Sequence, residues 1–109
     1  MSRRDEAYLE HILSACEAIV SYVKGMDREA FLVNSMAQDA VARRIEIIGE
    51  AAGKLSDAFR QARPEVPWSS IVGMRNILIH EYFGVDVDEI WLTATQDVPQ
   101  LRQALERQT

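Results

Sequence analysis

"DAVARRIEIIGEAAGKLSDAFRQA", residues 39–62, decides the fold. Within it Val41, Ile45, Ile48, Ala52, Leu55, Phe59 and Ala62 step by four and three residues in strict alternation. That period lays the apolar side chains along one stripe of a helix, whereas a half-buried strand would alternate every second residue. A stripe that keeps its register this long is the seam of a helix packing almost parallel to its neighbours. The spacing predicts the central helix of a bundle over residues 35–62, opened by Asn34 or Ser35 as its cap. Gly49 and Gly53 lie one turn apart on this helix, and each costs roughly 1 kcal/mol relative to alanine. We expect them to mark the close approach of another backbone, from a neighbouring helix or a second protomer. The alternative is that "GEAAGK" simply tolerates two weak helix formers.

The same period appears on both sides. Leu9, Ile12, Leu13, Cys16, Ile19, Val20 and Val23 form one wide face and predict a first helix from Asp5 to Val23, closed near Gly25. Asp27 is placed to cap a short helical turn, "REAFLV". Downstream, Pro64 and Pro67 end the central helix, and Ser69 or Ser70 starts the next one, which Gly84 stops. Asp86, followed three residues later by Glu89, resembles an N-terminal capping arrangement with Asp as the cap. Val87, Trp91, Ala94, Val98, Leu101 and Leu105 then carry a last helix in register across Pro99, so we expect a kinked or restarted helix there. With no strand signal, repeat or linker in competition, the fold is an antiparallel four- to five-helix bundle, all-α, in a single domain over residues 1–109.

Composition limits the function. The chain is 48% hydrophobic and 27% charged with five Gly and three Pro, which places it among globular proteins rather than disordered ones. Cys16 is the only cysteine and sits in an apolar stripe, so neither a disulfide nor a thiolate metal site is expected, and a reducing cytoplasm fits. "MSRRDEAYLE" contains no signal-peptide core, and no apolar run is long enough to span a bilayer; no membrane partner is expected. A net charge of −5 weighs against a broad nucleic-acid footprint, which Lys and Arg would have to supply. Residues 41–75 nevertheless set Arg43, Arg44, Lys54, Arg60, Arg63 and Arg75 against Glu46, Glu50, Asp57 and Glu65, enough for a small basic patch. Glu46 and Glu50 share a helix face as metal-binding carboxylates do, but Arg43 and Lys54 stand at pairing distance and no histidine joins them, so we assign no metal. His11 points away from the apolar face of the first helix, toward solvent. Trp68 and Trp91 read as core or interface anchors.

The stretch "MRNILIHEYFG", residues 74–84, poses a chemical question. Ile71, Val72, Met74, Ile77, Leu78, Ile79, Tyr82 and Phe83 point nearly all round its helix, which should be buried on most sides. Arg75, Asn76 and His80 are therefore costly there unless they are paired or face a polar cleft. Helical spacing puts Asn76 and His80 on one side and Arg75 and Tyr82 on an adjacent side, flanking one sector. A structural reading pairs Arg75 with Glu46 or Glu50 and satisfies His80 with a carbonyl. A catalytic reading uses histidine, which titrates near pH 6.5, as acid or base, and arginine as a bidentate phosphate fork.

"RNILIHEY" at 75–82, with "DAVARRIEIIGEAAGKL" upstream and "GVDVDEIW" downstream, resembles the HepT-like branch of the HEPN superfamily. In that superfamily Arg and His are separated by four to six residues; here there are four. The resemblance spans about residues 36–99 and departs at Arg44, where sequences of this type often carry Asn. It implies a HEPN-like helical bundle that forms a homodimer or higher oligomer through its motif helices. It also implies a metal-independent, cofactor-free endoribonuclease, the toxin of a toxin–antitoxin pair acting on RNA, with Arg75 and His80 catalytic and Asn76 supporting. Its implied partner is an MntA-like nucleotidyltransferase antitoxin that attaches AMP to Tyr82. The rival is a non-catalytic helical subunit that presents nucleotide or substrate to a nucleotidyltransferase. A purely structural dimerisation domain is a third reading and leaves the polar sector without a purpose.

Overall fold

Ser2 opens the first helix: its hydroxyl accepts the backbone N–H of Asp5 at 3.0 Å and satisfies one of the donors a helix start leaves unpaired. In the computed structural model, which describes residues 2–73 and 86–106, that helix, α1, runs Arg3–Val23. It buries Leu9, Ile12, Cys16 and Ile19 of the predicted face together with Ala15, while Leu13, Val20 and Val23 are half-buried against the same core. Gly25 closes it at φ 79°, the left-handed conformation that glycine adopts without a Cβ clash. Asp27 then caps α2, Arg28–Leu32, by accepting the N–H of Ala30 at 2.8 Å.

Helix α3, Ser35–Lys54, is capped by Asn34 and buries Val41, Ala42, Ile45, Ile48, Gly49, Ala51 and Ala52. The expected single helix over 35–62 is divided. Leu55 and Ser56 turn extended, at ψ 147° and 155°, and a separate helix α4 covers Asp57–Gln61. Ser56 causes the break: its hydroxyl accepts the N–H of Phe59 at 3.1 Å as an N-cap, while its own N–H and O–H go to the carboxylate of Asp5. Leu55 and Phe59 stay buried on either side, so the stripe continues although the helix does not.

Residues 68–73 are helical and form the described part of α5. Helix α6, Val87–Leu92, starts at Asp86, whose side chain accepts the N–H of Asp88 at 2.9 Å, as the sequence led us to expect. A π turn over Thr93–Asp97 joins α6 to α7, Val98–Glu106, without a loop. The irregularity expected at Pro99 thus falls one turn earlier. The proline ring crowds the carbonyl four residues back, at Thr95, and has no N–H to give it; a wider turn there relieves both conflicts.

Side-chain bonds fix the directions. The start of α1 meets the end of α3 through Asp5 and Ser56, and the residues just after α1 meet the start of α6 through Arg28 and Asp88 at 2.6 Å. Arg102 of α7 lies against Glu17 of α1 at 3.4 Å. Helices α3 and α6–α7 therefore both run antiparallel to α1, which packs against each of them. The core between them holds Ile12, Cys16, Ile19, Phe31, Val41 and Leu105, each with 2% exposure or less. Among the described residues there is no strand, and no helix is long and apolar enough to cross a membrane.

Candidate active site

Arg75, Asn76, His80 and Tyr82, and the expected stop at Gly84, lie outside the described residues. What the structure describes is the frame that leads into them. Trp68 begins α5, one residue before the earlier of the two expected starts. The reason is Pro67, whose carbonyl accepts the N–H of Ile71 at 3.1 Å and so supplies the first helical bond. The Trp68 indole N–H is shared between the carbonyls of Arg60 and Arg63, both at 3.1 Å, and its ring stands edge-on to Phe59 with centroids 6.2 Å apart. Trp68 thus locks the start of the motif helix onto the end of α4. Trp91 plays the matching part on α6, packing its ring against Phe31 at 5.2 Å.

One turn further along α5, Val72 faces Gly53 of α3. A Cβ built on Gly53 would sit 3.8 Å from both Val72 methyls, an ordinary van der Waals contact. The expected close approach at this glycine therefore involves the motif helix, but through a side chain rather than its backbone. Gly49, one turn earlier, is buried.

The basic residues around this frame are mostly engaged. Arg43 pairs with Glu46 at 3.3 Å, Lys54 with Glu50 at 3.3 Å and Arg60 with Asp57 at 2.8 Å, the first two as the sequence predicted. Arg44 lies over the Tyr22 ring at 5.9 Å. Surface pairs of this kind are worth about 0–1 kcal/mol and open readily, so they lower the patch potential without abolishing it. Glu46 and Glu50 are thus helix-face ion partners, and among the described residues no group of three or more His, Cys, Asp and Glu is assembled as a metal site. His11 is exposed, edge-on to Tyr8 at 5.8 Å, as expected.

Arg63 is different. It is buried, its guanidinium lies 3.6 Å from the centre of the Phe59 ring, and one terminal nitrogen donates to the Phe59 carbonyl at 3.1 Å. Its Nε has no hydrogen-bond partner among the described residues. Composition counted it as part of a surface patch; the structure makes it a stem that packs beneath the loop before α5. Nothing in the spacing of "RQARPEV" distinguishes it, since the ring that covers it is supplied by the turn at Ser56.

Beside α5 a cavity of about 250 Å³ opens between α3, the start of α5 and α7. Ile45 and Ile48 wall it on one side and Val98 and Leu101 on the other, while Ser70 and Ile71 of the motif helix complete it. Among the described residues no Lys, Arg or His lines it.

The family model for HepT-like ribonucleases matches residues 12–108, nearly the whole chain and all of the 75–82 motif. The chain belongs to the HepT-like ribonuclease family. It is 41% identical over 107 residues to "Probable ribonuclease HepT" of Thermococcus cleftensis, covering 98% of this chain and 97% of that one. It is 42% identical over 107 residues to "Putative RNase MJ1380" of Methanocaldococcus jannaschii, covering 97% of this chain and 98% of that one. No solved structure matches the chain significantly. The described helical bundle is the HEPN-like one that family membership entails, and the HepT-like match runs through both segments that frame the motif.

Proposed function

We propose that the protein is a metal-independent endoribonuclease, the toxin of a toxin–antitoxin pair, with Arg75 and His80 as its catalytic residues. The observation that carries this reading is the HepT-like ribonuclease match across the chain, with Arg75, Asn76, His80 and Tyr82 in the family motif. The chemistry suits the residue types. His80 takes the proton from a ribose 2′-hydroxyl, whose oxygen attacks the adjacent phosphorus, and the 5′-oxygen leaves with a proton returned by an imidazole. The products are a 2′,3′-cyclic phosphate and a 5′-hydroxyl. Arg75 neutralises the crowded phosphate in the transition state, and Asn76 holds the imidazole or a phosphate oxygen. Two protomers meeting at their motif helices place two histidines in one cleft, so that one acts as base and the other as acid.

Control falls to Tyr82. An MntA-like nucleotidyltransferase partner joins AMP to its hydroxyl, and the added anion beside Arg75 occupies the phosphate site and repels RNA. Growth is the test: expression of the chain alone should arrest cells, and co-expression with the nucleotidyltransferase should relieve the arrest. Tyr82→Phe should remain toxic in the presence of the partner. Relief of Tyr82→Phe as complete as that of the wild type would remove Tyr82 as the switch.

A second reading, a non-catalytic subunit that holds nucleotide for a transferase, is favoured by one observation. The net charge is −5 and the basic residues Arg43, Lys54 and Arg60 are each matched by a carboxylate, leaving a modest surface for a polyanion. Growth arrest that persists in His80→Ala would favour that subunit over the enzyme.

A further inference from the structure

Between α4 and α5 the surface opens into a groove of about 680 Å³, on the scale of sites that take a drug-sized molecule. Arg60 and Gln61 of α4 form one bank, Trp68 and Ser69 the other, and Val72 and Gly73 carry it along α5. Along the chain, Gly73 is two residues short of Arg75, so the groove adjoins the segment that carries the motif. The half-buried indole of Trp68 turns its N–H inward to the carbonyls of Arg60 and Arg63 and leaves ring surface at the groove. The Arg60 guanidinium donates to Asp57 at 2.8 Å, and the two side chains are unequally placed, 29% exposed for Arg60 and 84% for Asp57. The arginine is therefore fixed against the groove, while its partner stands in water and holds it weakly. Asp57 takes one terminal nitrogen of a group that has five N–H donors, so Arg60 can grip a further oxyanion.

We propose that this groove seats the RNA strand next to the bond that is cut, with Arg60 on a backbone phosphate and a base against Trp68. A fixed guanidinium beside an aromatic surface is the combination that holds single-stranded nucleic acid: the charge tracks the backbone, and the ring accepts the face of any base. The groove therefore takes unpaired RNA with little preference among bases. Gln61 and Ser69, both exposed, add hydrogen-bonding groups on the two banks. An acidic peptide would use Arg60 but has no base to lay on the indole, and so fits the groove less well. Asp57 sets the strength, because its carboxylate competes with phosphate for the same guanidinium. The matching of Arg60 by a carboxylate then tunes a strand-binding site and does not abolish it. Its use in the cell rests on the ribonuclease reading, though strand binding is measurable without cleavage.

The test uses the full chain carrying His80→Ala, titrated in EDTA with a fluorescein-labelled single-stranded RNA of mixed sequence and read by anisotropy at several salt concentrations. Arg60→Gln should weaken binding about tenfold, the scale of one charge-assisted contact. It should also lower the log–log salt slope by about 0.7, the share of one phosphate on a single strand. Arg60→Lys, which keeps the charge, should restore that slope. Asp57→Asn should tighten binding about threefold, a gain that a merely structural Asp57–Arg60 pair does not give, and the gain should vanish when Arg60→Gln is added. The chain has two tryptophans, so Trp91→Phe leaves Trp68 as the reporter. Its fluorescence should be quenched by RNA and not by polyglutamate. No RNA binding, RNA binding indifferent to both Arg60→Gln and Asp57→Asn, or equal quenching by polyglutamate overturns the groove. Cleavage of the same RNA by the wild-type chain separates the two readings. Binding that responds to Arg60→Gln and Asp57→Asn without any cleavage keeps the groove and removes the ribonuclease. Cleavage with binding that ignores both substitutions keeps the ribonuclease and removes the groove.

Discussion

The carboxylate of Asp5 accepts the backbone N–H of Ser56 at 2.9 Å and its hydroxyl at 2.7 Å, joining the first turn of α1 to the break between α3 and α4. The contact is local in space and 51 residues apart in sequence. It fixes where the central helix ends, and thereby where α4 and the loop into the motif helix begin.

The pH dependence of stability should carry a mark of this contact. The Ser56 backbone N–H, and after it the Ser56 hydroxyl, hold the Asp5 carboxyl below its ordinary value of 3.8. A depressed carboxyl contributes stability that is fully present well above pH 3.8 and is lost as the pH falls through its lower folded value. Asp5→Asn should therefore flatten the loss of stability in urea melts below about pH 4, while Asp5→Ala should cost about 1–3 kcal/mol at pH 7 by leaving the Ser56 donors without their acceptor. An Asp5→Ala protein as stable as wild type would mean that the break at Ser56 is set by the Ser56 cap alone.

At Gly53 the expected effect has the opposite sign. A Cβ there meets Val72 at an ordinary contact distance, so Gly53→Ala should gain up to about 1 kcal/mol of stability from helix propensity. Gly53→Leu should push α5 away from α3 and lower RNA cleavage more than it lowers stability. A destabilised Gly53→Ala protein in thermal melts would show that α5 sits closer to α3 than this contact implies.

Arg63 lies buried over the Phe59 ring, and among the described residues its Nε has no hydrogen-bond partner, a poor use of a charge. Arg63→Met keeps the stem and removes the charge, and should leave stability within about 1 kcal/mol of wild type or raise it. Arg63→Ala, which also empties the space over Phe59, should lose about 2 kcal/mol or more in denaturant melts.

Cys16 is fully buried, and desolvation pushes its thiol up to about 12. It should not react with a disulfide reagent at pH 8 while the protein is folded, and should react at once in denaturant. Rapid labelling of the folded protein would mean that α1 opens locally against α7.

The sequence stripe over 41–62 identified the bundle, and the caps at Asp27, Asn34 and Asp86 are where side-chain chemistry put them. The break at Leu55–Ser56 was hidden because Leu55 and Phe59 keep the apolar step across it, and its cause, Asp5, is far away in sequence. A local clue was present in "SDAF", a serine cap followed by an acidic first turn. Pro99 announced a disturbance but not its place, since its conflict is with the carbonyl one turn before it. Of the site, the frame was partly legible: Gly53 marked a packing point, and Trp68 an anchor. Arg63 was misread as surface, and the cavity beside α5 was invisible because its walls come from three separate helices. The chemistry proposed for the site rests on the residue types and spacing of the 75–82 motif alone, which lies outside the described residues.

The most direct measurement is the identity of the RNA ends left by the purified protein in the presence of EDTA. The proposed mechanism predicts 2′,3′-cyclic phosphate and 5′-hydroxyl ends from the wild-type chain, and none from Arg75→Ala or His80→Ala proteins that remain folded. Products with 3′-hydroxyl ends formed only when a divalent metal is added, or cleavage that persists in His80→Ala, would contradict it.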